Sequence, residues 1–230
     1  MKDPAITSPR LARVGGWFGI AGPVLLAASF VVTAFAGRPP FAVVTASQLM
    51  TSVRSHETLF SAGAWLLVTG TLLSAVFFLV LVTRTGKGAC FIGQLVTVGV
   101  ALLIGVAVVE AALLIAVPTA AAARSTEGTL TALTLSGVFA RVSALATAPP
   151  LFAATGLALR FTSVLPRAFG PLALVIAGLF VASGIVAIFS EAGLIAAVAV
   201  SVLQEAWIVA AAVALLLRAR GSKGLVPEHG

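Results

Sequence analysis

Six long apolar runs dominate the hydropathy pattern, at about residues 14–36, 59–82, 91–117, 130–159, 171–189 and 192–217. Each reaches or approaches the ~20 residues a helix needs to cross a bilayer, and short polar or basic stretches separate them. Arg38-Pro39-Pro40 stops the first run. Between it and the second, Val43, Ala46, Leu49, Met50 and Val53 recur at helical spacing, which predicts a short amphipathic helix on the membrane surface. In the second run Ser61, Trp65 and Thr69 stand at i, i+4 and i+8, a polar stripe on one face and a candidate substrate-binding face, although helix packing explains such a stripe as well. Pro118 is expected to close the third run, and Pro149-Pro150 to kink or break the fourth. Gly15 with Gly19, and Gly178 with Ala182, predict close helix–helix approaches. The expected fold is all-α, a polytopic bundle of six transmembrane helices at 14–217, with a basic leader at 1–13 and a polar tail at 218–230.

Composition agrees with the pattern. The chain is 60% hydrophobic and 9% charged, with mean hydropathy +1.16, whereas about a quarter of a soluble domain is charged. A net charge of +7 would suggest nucleic acid in a soluble chain; here the cations flank apolar runs and set topology instead. Lys2, Arg10, Arg13, Arg84, Lys87, Arg160, Arg167, Arg218, Arg220 and Lys223 fall on one side, against Arg38, Arg54 and Arg124 on the other. Both termini are therefore expected in the cytoplasm, and the chain in the plasma membrane. The first run and Ala34-Phe35-Ala36 mimic a secretory signal, but the run's length predicts a retained helix.

One cation breaks the pattern. Arg141 lies inside the fourth run, where a guanidinium costs at least ~2.5–3.5 kcal/mol and cannot deprotonate. Two carboxylates lie deep in other runs, Glu110 and Glu205. Counting from the outer ends of the runs places Glu110 ~10 Å, Arg141 ~16 Å and Glu205 ~20 Å deep. The three are expected to meet in one buried site, with Glu205 as the partner of Arg141 and Glu110 as a general acid. A structural clamp between helices is the plain alternative. Cys90 is the lone cysteine, and His56 and His229 are the only histidines; no metal or cofactor is expected. Aspartate beyond Asp3 is missing, which excludes Asp-rich magnesium chemistry. His56-Glu57 reads as a helix start capped by Ser55, and Trp17 and Trp207 as interface or packing residues.

The layout of Pro9-Arg10-Leu11-Ala12-Arg13, Ser55-His56-Glu57-Thr58-Leu59-Phe60 and Leu165-Pro166-Arg167-Ala168-Phe169-Gly170-Pro171-Leu172-Ala173 resembles an uncharacterised family of small bacterial six-helix membrane proteins. That resemblance implies no activity. In size and hydropathy the chain is also similar to the small integral-membrane terpene cyclases of meroterpenoid pathways, from which it departs in having no Tyr. This second resemblance implies carboxylate chemistry without a metal. The residues are compatible with that: an acid held in an apolar layer favours its neutral form and can protonate an epoxide or alkene. The leading expectation is an enzyme, a cyclase or isomerase, acting on a prenyl-like substrate taken from membrane lipid. A proton-coupled transporter and a non-catalytic partner subunit stay open, and the small-residue faces are compatible with a homo-oligomer.

Overall fold

A computed structural model describes residues 8–35 and 46–221, the side chains of 46–49, 144, 145 and 221 excepted. The described residues form helices α1 (Pro9–Phe35), α2 (Ala46–Ser55), α3 (Glu57–Arg84), α4 (Phe91–Ala122), α5 (Thr126–Ala146), α6 (Ala148–Arg160), α7 (Phe169–Phe189) and α8 (Glu191–Gly221), with no strand among them. Six stretches are long and apolar enough to cross a membrane: α1, α3, α4, α5 and α6 taken together, α7 and α8. The chain is a multi-pass helical membrane protein.

Local chemistry moves several boundaries. Ser8 Oγ accepts the Leu11 N–H at 3.3 Å, and Pro9 takes the first helical position, where a missing N–H is harmless. The expected leader is therefore helical from Pro9 onward; residues 1–7, Arg38-Pro39-Pro40, Val43 and the tail beyond Gly221 lie outside the described residues. Pro118 does not close α4. It deletes one donor, towards the Leu114 carbonyl, and the helix runs one more turn to Ala122. The fourth run breaks as its prolines require: α5 ends at Ala146, and Pro149 and Pro150 fall in the first turn of α6, where N–H groups have no intrahelical acceptor. Ser55 does not cap α3. Its hydroxyl bonds back to the Ser52 carbonyl, and His56 takes the cap position without a side-chain bond.

α1 is the packing axis. A Cβ on Gly15 would meet Val80 of α3; one on Gly19 would stand 2.5 Å from Phe77 of α3 and 2.8 Å from Ala212 of α8. Gly22 faces Ser74 and Gly70 of α3, and Ser29 Oγ donates to the Gly63 carbonyl at 2.7 Å. The expected Gly15/Gly19 approach is present. The one expected at Gly178/Ala182 is not: both residues are exposed, and nothing lies within 4 Å of where a Gly178 Cβ would be. α7 turns that face away from α6 and α8 because its larger residues Ile176 and Phe180 are buried instead.

The two ends of the bundle differ in charge. Arg84 donates to the Ser8 carbonyl at 3.1 Å, Arg218 donates to the Ser163 carbonyl, and Gly16 faces Leu216. The start of α1 and the end of α8 thus share one end, with Arg10, Arg13, Lys87, Arg160, Arg167 and Arg220. Glu57, Glu127 and Glu191 lie at the other, with Arg54 and Arg124. α7, of 21 residues, is ~31 Å long, the thickness of a ~30 Å hydrocarbon core. α4, of 32 residues, is ~48 Å long, so the α4–α5 hairpin projects past α7 at the acidic end. α2 packs on that projecting part, against α4 and α5, and buries Val53; it is a bracket there rather than a free surface helix. Arg54 Nε fastens it by donating to the Ala121 carbonyl at 2.9 Å.

Candidate functional site at the acidic end of the bundle

Arg141 is half-buried on α5, and its Nη1 donates to the Ala187 carbonyl at 3.2 Å. Ala187 lies in the last turn of α7, where carbonyls have no intrahelical acceptor role left to fill and the helix dipole is negative. One hydrogen bond that holds this guanidinium therefore comes from a helix end. The contact also fixes its depth. Arg141 stands level with the last turn of α7, at the acidic end of that helix.

Glu110 shares this layer. Gly99 of α4 touches Leu151 of α6, its Cβ position 3.0 Å from the Leu151 Cα. At ~1.5 Å per residue Glu110 stands ~16 Å from that contact and Arg141 ~15 Å, both towards the acidic end. Glu110 is half-buried and engaged, on a helix packed directly against α5.

Glu205 is elsewhere. Its Oε1 accepts from Gln204 Nε2 at 3.1 Å, and its buried Oε2 has no hydrogen-bond partner among the described residues. Ala187 lies just before the α7–α8 turn and Glu205 four turns beyond it, a separation of roughly 20 Å along the bundle. α7 packs against both α5 and α8 and stands between them. Glu205 shares a helical face with Ala212 and Leu216, which meet the α1 glycines. Glu205 therefore stands apart from Arg141. Depth counted from the start of each run fails because α5 begins well past the acidic end of α7, whereas α8 begins level with it.

The stripe on α3 points outward. Ser61 is exposed, Trp65 is 63% exposed and Thr69 half-buried. Phe60, Gly63, Ala64, Gly70 and Ser74 hold the inner face, so Ser61 and Trp65 lie on the outer surface among the described residues. Trp17 also faces outward. Trp207 is buried in an aromatic cluster, stacked on Phe78 at 6.4 Å and edge-on to Phe152 and Phe169, with Nε1 donating to the Phe169 carbonyl at 3.2 Å. No three His, Cys, Asp or Glu side chains gather in a metal-binding group among the described residues.

Beside Arg141 a groove of about 420 Å³ opens on the bundle surface, lined by Thr134, Gly137, Val138, Arg141, Val142 and Ile188. Thr134, Gly137, Val138 and Arg141 fall at i, i+3, i+4 and i+7, one face of α5. That spacing was available in the sequence; Ile188, brought in by α7, was not. The groove joins a fixed cation to apolar walls, and Glu110 stands on the neighbouring α4 outside its lining. Compared with known proteins, the chain matches no family model, no curated protein and no solved structure.

Proposed function

We propose that the protein is a plasma-membrane enzyme, both termini cytoplasmic, that performs acid–base chemistry on a lipophilic substrate admitted sideways from the bilayer at its outer end. The observation that carries this reading is the groove at Arg141, open at the layer that also holds Glu110. The orientation rests on the basic end of the bundle. Glu110 acts as the proton donor and, after transfer, as the base that takes a proton back, so substrate and product are isomers. Arg141, held by the Ala187 carbonyl, is the fixed cation that orients the polar end of the substrate. A protonation-initiated cyclisation or isomerisation of a polyene or epoxide fits these groups.

The test is turnover of a lipophilic epoxide or polyene by protein in nanodiscs. Glu110→Gln keeps the side-chain shape but delivers no proton, so a loss of ~10²–10⁴-fold is expected with the melting temperature held. Glu205→Gln is expected to retain turnover, because Glu205 lies outside the layer. A Glu110→Gln variant as active as the parent defeats the proposal. One observation favours a second reading, a partner subunit: the exposed Gly178 and Ala182 offer a face for close helix approach. An oligomer broken by Gly178→Leu, in a protein without turnover, would select that reading.

A further inference from the structure

We infer that the groove beside Arg141 holds the phosphate headgroup of an anionic lipid from the outer leaflet; this names the substrate class of the proposed function and rests on that reading of the groove. Arg141 uses Nη1 on the Ala187 carbonyl, and a guanidinium carries further N–H groups in a fork that matches phosphate oxygens. Arg141 lines the groove. Its depth fits the ligand. Ala187 ends an α7 that is as long as the hydrocarbon core is thick, so Arg141 lies where acyl chains give way to headgroups. From there Val138, Gly137 and Thr134 continue along α5 towards the acidic end, Ile188 lies one residue beyond Ala187 on that same side, and Val142 lies on the side of the core.

The walls separate a lipid from a free anion. Val138, Val142 and Ile188 are apolar and about half exposed, at 55%, 54% and 50%. Inorganic phosphate has nothing to pack against them, whereas a lipid held by its headgroup at Arg141 lays apolar chain along them. Gly137 leaves room: nothing lies within 4 Å of where its Cβ would stand. The acid that follows Ile188 is Glu191, exposed at the start of α8. It stands in the first turn of α8, which packs on the end of α7 at Ala187.

The experiment is native mass spectrometry of the full chain in detergent, titrated with phosphatidic acid, phosphatidylcholine and inorganic phosphate. The parent is expected to bind phosphatidic acid about 10- to 100-fold more tightly than phosphatidylcholine, the worth of one charge-assisted pair. Arg141→Gln should erase that preference. Because this variant also removes the bond to α7, Gly137→Leu serves as the second: it fills the groove, adds helix propensity, leaves Arg141 in place and should weaken phosphatidic acid by about 10-fold. Equal binding of the two lipids by the parent overturns the inference, as does a Gly137→Leu protein that binds like the parent. Displacement of phosphatidic acid by millimolar phosphate assigns the site to the free anion and overturns the lipid. Turnover is a separate readout. Binding without any turnover defeats the enzymatic reading alone, and turnover without anionic preference defeats this inference alone.

Discussion

A guanidinium in an apolar run must find acceptors, and the carbonyl end of a neighbouring helix supplies one. Arg141 takes the Ala187 carbonyl, which no count of carboxylates could have named. Glycines divide in the same way. Gly22 of α1 and Gly178 of α7 look alike in sequence, yet a Cβ on Gly22 would stand 2.9 Å from the Gly70 carbonyl, and one on Gly178 would meet nothing within 4 Å. Gly22→Ala should destabilise by ~1–3 kcal/mol, because the obstacle is backbone and cannot turn aside. Gly178→Ala should leave the melting temperature in detergent unchanged or slightly raised. Equal melting of the two variants would contradict the packing described for α1. The presence of the Gly15/Gly19 approach was legible because both neighbours of α1 are long apolar helices. The exposure of Gly178 was not, since small residues pack only where a partner helix presents itself.

The elements were legible wherever a local signal fixes them. Ser8-Pro9 marks the start of α1, although Arg10 and Arg13 disguise it as a polar leader, and Pro149-Pro150 marks the α5–α6 break. The α4–α5 connection shows the same economy. The Ser125 N–H reaches the Ala120 carbonyl at 3.1 Å and the Arg124 N–H the Ala121 carbonyl at 3.0 Å, closing α4, while Ser125 Oγ accepts the Gly128 N–H at 3.0 Å and opens α5. This closure puts the residue after the cap in the left-handed region, and Arg124 has φ of 59°. A glycine adopts that conformation without the ~1–2 kcal/mol an L side chain meets there. Arg124→Gly is therefore expected to raise stability by up to ~1 kcal/mol in thermal unfolding. A clear loss of stability would mean that the Arg124 side chain contributes more than its backbone strain costs.

At the scale of the molecule, hydropathy specified six spans, and basic residues at one end specified which helix termini sit together. Relative depth was hidden. It depends on how far each helix runs past its neighbours, and α4 and α5 project beyond α7 by an amount only the packed bundle determines. That offset separates Glu205 from Arg141 and brings Glu110 level with it. The proposed function requires the Arg141 groove to open at the outer end of the membrane. The most direct measurement is thiol labelling of Gly137→Cys in a Cys90→Ser background, using a membrane-impermeant reagent on intact cells. Cys90, exposed just before α4 at the basic end, is the control in the parent. The expected result is prompt labelling of Gly137→Cys from outside, with Cys90 in the parent reactive only after the cells are opened. Labelling of Cys90 in intact cells, with Gly137→Cys reacting only after they are opened, would contradict the account.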